Sequence, residues 1–356
     1  MELAFIGFVG QKFILVAIIF GISLVVAMYS TYAERKIAAF FQDRIGPNRA
    51  GPFGILQPLA DGAKMFMKEE IIPTHANAFL FIVGPSLAIL TACIGSAVIP
   101  WGQQIAIADH VIDLQVTDIN VGVLYIFGVV SLGVYGVMIG GWASNNKYSL
   151  LGAIRAASQN ISYEIAMGLS IIALLMLTGT LSLKEITQQQ HGFWNEGYFT
   201  WNFFRQPLGF LIFIVCAFAE TNRTPFDLPE CETELVGGYH TEYSSMKLGF
   251  YLFAEYINMF ISSAVMSTLY FGGYNYPGMD FMNNLLGPTW GPLLGVAALF
   301  AKILFFIFFF MWVRWTIPRF RYDQLMDLGW KILIPLAIGN IVLTGVISSL
   351  LTYFGY

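Results

Sequence analysis

The chain has 356 residues, of which 57% are hydrophobic and 11% charged, with 32 Phe and a mean hydropathy of +0.66. Soluble domains carry about 25% charged residues, so the composition excludes an ordinary water-soluble globule and indicates a polytopic membrane protein. A net charge of -4, a pI near 5.6 and no block of like charge exclude a nucleic-acid surface, leaving DNA and RNA out of the expected partners.

Apolar windows of about twenty residues, the length that crosses a bilayer core, fall near residues 8-32, 76-99, 119-142, 160-181, 206-222, 247-272, 293-315 and 330-353. The expected fold class is therefore all-α: one membrane domain over 1-356 with about eight transmembrane helices. The first window lacks a basic flank and a small-residue cleavage site, so it reads as a first span and not as a signal peptide. Lys and Arg then give the orientation. Arg35, Lys36, Arg44, Arg49, Lys64 and Lys68 fall in the first loop, and Lys147 and Arg155 in the third. Arg223 and Lys247 fall in or beside the fifth, and Arg314, Arg319, Arg321 and Lys331 around the seventh. Only Lys12, Lys184 and Arg205 lie on the other side, with Lys302 inside a span. The bias places loops 33-75, 143-159, 223-246 and 316-329 in the cytoplasm or its equivalent, and the longish second and fourth loops favour a bacterial plasma membrane over the alternative of an organellar inner membrane.

Within the first loop, Gly46-Pro47 turns the chain between Arg44 and Arg49, and a helical pattern follows. Gln57, Asp61, Lys64 and Lys68 form a polar stripe opposite Leu56, Leu59, Ala63, Phe66 and Met67, with Pro58 tolerable in the first turn. This spacing predicts an amphipathic helix lying in the membrane interface. It serves either as a surface brace or as the wall of a crevice open to lipid and to a soluble partner.

The fifth loop concentrates acids: Glu220, Asp227, Glu230, Glu232, Glu234 and Glu242. An acid at mid-helix in a bilayer costs roughly 2.5–3.5 kcal/mol, so acids beside lipid tend to take up protons, pair or hold water. Glu230 and Glu234 share a face if the segment is helical, whereas Glu230, Glu232 and Glu234 all point one way if it is extended. A solvated docking face is the bland alternative, but Pro225 and Pro229 hold these acids near the end of the fifth span. Glu164, Glu220 and Glu255 lie in or at the ends of spans and read as proton-relay sites. Glu34 beside Arg35 is either an interfacial salt bridge or part of the same site.

Cys93, Cys216 and Cys231 are too scattered for an iron-sulfur or zinc centre, no histidine pair is placed to grip haem within a span, and no Gly-x-Gly marks a dinucleotide fold. The chain is thus expected to bind no metal and no redox cofactor of its own.

Two segments carry a resemblance. GILQPLADGAK at 54-64 and PFDLPECETELVGG at 225-238 resemble the two diagnostic motifs of subunit 1 of proton-pumping NADH:quinone oxidoreductase, respiratory complex I. AERKIAAFFQDRIGPNR at 33-49, ASQNISYEIAMGL at 157-169 and WVRWTIPRFRYDQLMDLGWK at 312-331 extend it over essentially the whole chain. The resemblance implies an eight-helix membrane component whose cytoplasmic loops meet the peripheral quinone-module subunits and help form the quinone channel. Other membrane subunits, lipid and quinone are the implied partners, with NADH, FMN and iron-sulfur clusters handled on other subunits. Carried onto this sequence, it implies that Glu34, Arg35, Asp61, Lys64, Arg223, Asp227, Glu230, Glu232 and Glu234 serve quinone binding and coupling. Glu164, Glu220 and Glu255 would relay protons, and Arg44, Arg49, Arg314, Arg319, Arg321 and Asp323 would contact the peripheral arm. Quinone reduction would change charge near the loop acids and start proton movement along the relay. Related subunits of energy-converting hydrogenases or F420H2 dehydrogenases are an alternative, as is a freestanding ion transporter.

Overall fold

The computed structural model describes residues 2–107, 110–191, 194–195 and 198–354, and its helices run longer than the apolar windows suggest. Helix α1 covers Glu2–Phe41, continuing beyond Tyr32 through Glu34, Arg35 and Lys36. Its spacing explains this: Ser23, Ala27, Ser30, Glu34 and Ala38 are all buried, recurring every three or four residues, so one face stays packed to the end. The stretch read as the start of the first loop is therefore helix, and Glu34 points into the bundle. Helix α2, Gln57–Met67, starts with Pro in its first turn. Its apolar residues Leu59, Phe66 and Met67 are exposed while Asp61 turns toward α1. A helix with its polar side inward and its greasy side outward suits an interface covered by lipid.

Helices α3, Ala78–Ile94, and α4, Gly122–Ala143, pack closely, with a ribbon of β1 (Ile105–Ile107) and β2 (His110–Ile112) between them in sequence. Glycines set the approach: a Cβ on Gly84 would sit 2.8 Å from the Gly140 Cα, and one on Gly140 would overlap the Tyr251 hydroxyl. Helix α5, Lys147–Thr178, begins well before the window at 160, because Asn146 caps it by accepting from the Tyr148 amide at 2.9 Å. Left-handed Gly179 ends it. Short α6 (Leu183–Gln189), a second ribbon of β3 (Trp194–Asn195) and β4 (Tyr198–Phe199), and α7 (Asn202–Arg205) lead to α8, Pro207–Glu220.

At about 1.5 Å per residue α8 is about 21 Å long, short of the roughly 30 Å hydrocarbon core. Among the described residues seven helices are long and apolar enough to cross a membrane, and α8 is a shorter apolar one. Buried Gln206 anchors its start, donating to Thr344 Oγ1 at 2.7 Å and accepting from Asn340 at 3.0 Å. After α9 (Glu232–Leu235) come α10, Ser245–Tyr270, and α11, Met279–Thr316, the latter broken at Gly287 with φ 78°. Helix α12 (Tyr322–Asp327) joins α13 (Ile334–Tyr353) through a π-helical stretch, Leu328–Leu333. The two most enclosed helices are α5, packed on α4, α8 and α13, and α10, packed on α1, α3 and α11. These carry Glu164 and Glu255. Large side chains such as Phe13, Leu211, Phe305 and Val342 cover the outside, as expected where lipid and not water is the solvent.

The substitution Gly140→Val should cost about 1–3 kcal/mol through overpacking, lowering the thermal midpoint in detergent. The matched change Gly128→Val, at a site with open space around it, should leave the midpoint unchanged.

Candidate functional site

The continuation of α1 brings Glu34 against the loop after α8 and against α10. There Arg223 Nη1 lies 3.2 Å from Glu34 Oε2, and its Nη2 lies 3.5 Å from Glu255 Oε2. The guanidinium sits 4.1 Å over the ring of Tyr256, whose hydroxyl donates to Glu34 Oε2 at 2.8 Å. On its other oxygen Glu34 meets Arg314 Nη1 at 2.6 Å. Arg223 and Glu34 are only 5% and 7% exposed, and charges so far from water persist only when paired.

The row continues on the far side of Glu255. The Tyr239 hydroxyl stands 3.2 Å from Glu255 Oε1 and 3.1 Å from Glu230 Oε1, and His240 Nδ1 lies 3.5 Å from Glu230. At these distances the single phenolic proton is shared by the two carboxylates as a three-centre hydrogen bond, so Tyr239 bridges Glu230 and Glu255.

Burial is the largest influence on Arg223 and disfavours its charge, yet Tyr256, Glu34 and Glu255 outweigh it and hold its pKa above the ordinary value. For Tyr239 burial, then Glu230 and Glu255, push the phenol well above its usual range. Arg223 is thus a fixed positive charge and Tyr239 a fixed donor.

The N-terminal half of α5 holds this loop in place. Ser149 donates to the Tyr239 carbonyl at 2.6 Å, and a side chain at Gly152 would strike the Tyr239 amide. Gln159 donates to the carbonyls of Ala219 at 2.8 Å and Phe226 at 2.9 Å, tying the end of α8 to the loop.

One cavity adjoins the row and a second lies beside Glu220. One, of about 110 Å³, lies between α1, α2 and α10; Met28, Pro58, Met65, Leu252, Phe253 and Tyr256 line it, with Arg35, Asp61 and Lys64 at its edge. Arg35 Nη1 pairs with Asp61 at 2.7 Å, and Lys64 lies 3.8 Å from the same carboxylate. The other, of about 40 Å³, is lined by Ile126, Met167 and Phe213 together with Glu220, Asn258 and Ser262. It offers room for about three waters at 10–15 Å³ each. Asn258 and Ser262 follow Glu255 at i+3 and i+7 on α10, so one polar face of that helix links the charged row to Glu220. Glu164 interacts electrostatically with Glu220 and accepts a hydrogen bond from Ser131 of α4.

The remaining candidates divide. Asp227 is buried and pairs with Arg319 Nη2 at 3.0 Å. Glu234 pairs outward with Arg155 at 2.6 Å, its side chain half exposed. Glu230 and Glu234 thus go to different partners and do not share a face, because Glu230 lies ahead of the short α9 and Glu234 within it. The side chain of Glu232 lies outside the described residues. Arg314 and Arg319, read from sequence as groups reaching for another protein, spend their charge inside this chain on Glu34 and Asp227. Arg44, Arg49, Arg321 and Asp323 are exposed. Tyr239, Tyr256, Ser131 and Gln159 were not marked in the sequence. A Tyr directly after Glu255, and another directly after Gly237-Gly238, were the available signals.

An all-α bundle that buries a row of alternating acids and guanidinium groups beside an apolar crevice defines a polytopic membrane protein with an internal charged site. The profile of the NADH dehydrogenase family matches residues 13–345. A subunit of the NADH-quinone oxidoreductase of Cytophaga hutchinsonii is 69% identical over 340 residues, 96% of this chain and 97% of its own length. The corresponding protein of Flavobacterium johnsoniae, also named as an NADH-quinone oxidoreductase subunit, is 65% identical over 341 residues, 96% of each chain. That of Geobacter sulfurreducens is 49% identical over 346, 94% of each. The chain belongs to the NADH dehydrogenase family, in agreement with its sequence motifs.

Removing the central charge should be costly. Arg223→Ala leaves Glu34 and Glu255 without their common partner and should destabilise the protein by about 3–5 kcal/mol. Adding Glu34→Gln should restore part of this, with a coupling of about 0.5–3 kcal/mol in the double-mutant cycle. Denaturation in detergent measures both, and strictly additive losses would contradict the pairing.

Proposed function

We propose that this chain is a membrane subunit of an NADH-quinone oxidoreductase, that it forms one wall of the quinone channel, and that it couples quinone reduction to proton translocation. One observation carries the reading: Tyr256 belongs to both halves of the site, its ring lining the apolar crevice and its hydroxyl held by Glu34 at the head of the charged row. The crevice is apolar along its length with Arg35, Asp61 and Lys64 at its edge, which suits a molecule with a greasy tail and a polar head. It lies between α1, the interfacial helix α2 and α10, at the level of the membrane interface that a membrane-dissolved quinone would have to reach. The names of the relatives, at up to 69% identity over nearly full length, support the assignment to that enzyme.

Reduction of the quinone takes electrons from partner subunits and consumes protons, so local negative charge rises and is then discharged. Glu34, Arg223, Glu255, Tyr239 and Glu230 pass that change along through their shared contacts, the Tyr239 hydroxyl linking Glu255 to Glu230. Asn258 and Ser262, with water in the adjoining cavity, extend the path to Glu220, and Glu164 with Ser131 receives it next. Arg223 stays charged throughout and keeps the row from collapsing into an all-neutral state. The exposed Arg44, Arg49, Arg321 and Asp323, with Ile45 and Phe53 exposed nearby in the first loop, form the docking face for the peripheral quinone-module subunits. NADH, FMN and the iron-sulfur clusters belong to those partners, and the charged loops face the cytoplasm of a bacterial inner membrane.

In the purified assembly Tyr256→Phe and Glu230→Gln should each lower quinone-linked NADH oxidation at least about tenfold, equal to about 1.4 kcal/mol. Reduction of ferricyanide by NADH should stay at the level of the unaltered enzyme. Undiminished quinone turnover with full proton pumping would overturn the coupling role. For orientation, Asn48→Cys should react with an impermeant maleimide only from the cytoplasmic side and Asn120→Cys only from the opposite one; the reverse pattern refutes the sidedness.

A further inference from the structure

At the end of the bundle opposite the charged row, two cavities meet that the proposed quinone and proton functions leave unused. The first is an apolar groove of about 130 Å³ between α1 and α11, lined by Leu15, Ile19, Ile22, Leu293, Val296 and Phe300, with Trp101 and Leu114 closing its end. The second is a polar pocket of about 440 Å³, lined by Gln103, Asp113, Lys184, Gln188 and His191. They share Leu114, and Gly102 stands at their junction: a Cβ there would lie 2.7 Å from side-chain carbons of both Leu114 and Val296. A larger residue at 102 would crowd the passage, so glycine keeps the two volumes in contact.

The charge in the pocket is mixed. Lys184 Nζ lies 3.8 Å from Asp113 and 3.9 Å from Asp118, distances at which the ions are near but not in tight contact. Asp113 also accepts from the Gln104 amide at 2.8 Å, which fixes its direction, and both carboxylates remain nearly half exposed. On α1, Lys12 is tied to the Gln115 carbonyl at 2.8 Å and sets the depth of the groove relative to the pocket. A purely anionic head at Lys184 would meet Asp113 and Asp118 beside it, and a purely cationic head at those carboxylates would meet Lys184.

We propose that the groove and pocket together bind one aminophospholipid, a zwitterion with a phosphate ester and a primary ammonium. The acyl chain lies along α1 and α11, the phosphate takes Lys184 and the side-chain amides of Gln103 and Gln188, and the ammonium takes Asp113. Lys184 and Asp113 each keep a counter-charge on binding, since the phosphate stands in for the carboxylates around Lys184 while the ammonium stands in for Lys184 beside Asp113. The site holds the segment between α3 and α4 against α11.

The test uses the assembly extracted in mild detergent, washed, and incubated with an equimolar mixture of phosphatidylethanolamine and phosphatidylglycerol, with retained lipid counted by mass spectrometry. The unaltered protein should retain phosphatidylethanolamine at this site in preference to phosphatidylglycerol. Lys184→Gln, which removes the phosphate partner, and Leu293→Trp, which fills the exposed groove, should each weaken that retention at least about tenfold. Thermal stability of both variants is measured in parallel, so that a folding defect is separated from a lost site. Retention unchanged in both folded variants, equal or greater retention of phosphatidylglycerol, or equal competition by water-soluble phosphorylethanolamine lacking chains would each overturn the proposal.

Discussion

The loop end of this bundle depends on keeping one guanidinium charged where water is scarce. Arg223 is 5% exposed, and an unpaired ion there would cost several kcal/mol. It is retained because three elements converge on it: α1 brings Glu34, α10 brings Glu255 and the Tyr256 ring, and the loop after α8 brings Arg223 itself. Remove any of them and the others are stranded, which ties the chemistry to the packing. Arg314 from α11 adds a second guanidinium to Glu34 and brings a fourth element into the same contact.

That convergence explains features that otherwise look unrelated. Helix α1 runs on to Phe41 because Glu34 has to be rigidly held, and a helix face of small residues below it lets α10 approach. The early start of α5 places Ser149, Gly152 and Gln159 under the fifth loop, so that irregular backbone beside the membrane has its hydrogen bonds satisfied by side chains. Glycines at 84, 136 and 140 bring α3 and α4 close, and Tyr243 and Tyr251 fill the gap behind Tyr239 with edge-to-face ring contacts. Tyr243 donates across to the Phe81 carbonyl at 3.1 Å, and burial raises its phenol to about 12, so it too remains a donor.

Much of this was legible in sequence. Long apolar windows specify helices because a backbone in lipid must satisfy its own hydrogen bonds, and the polar stripe of Gln57, Asp61 and Lys64 announced α2. The acids Glu34, Glu164, Glu220, Glu230 and Glu255 were identifiable since a carboxyl beside lipid is too costly to be incidental. Helix ends were less legible: α1 and α5 extend through charged or polar stretches that hydropathy reads as loop, and α8 is shorter than its window. Windows average over all faces of a helix, whereas Glu34 and Gln159 are accommodated on a single buried face.

What the sequence by itself determined is therefore the class of the protein, the number and order of its apolar helices to within one short element, and the inventory of expensive charges. Only the tertiary structure decided who pairs with whom. Arg314 and Arg319, expected to contact another protein, pair with Glu34 and Asp227 of this chain, Glu230 and Glu234 part company over four residues, Tyr239 bridges Glu230 and Glu255, and Tyr256 joins Glu34 to Arg223. The physical reason is that the cost of a buried charge is a property of the residue, whereas its relief depends on atoms within about 4 Å, and those come from helices that only packing brings together.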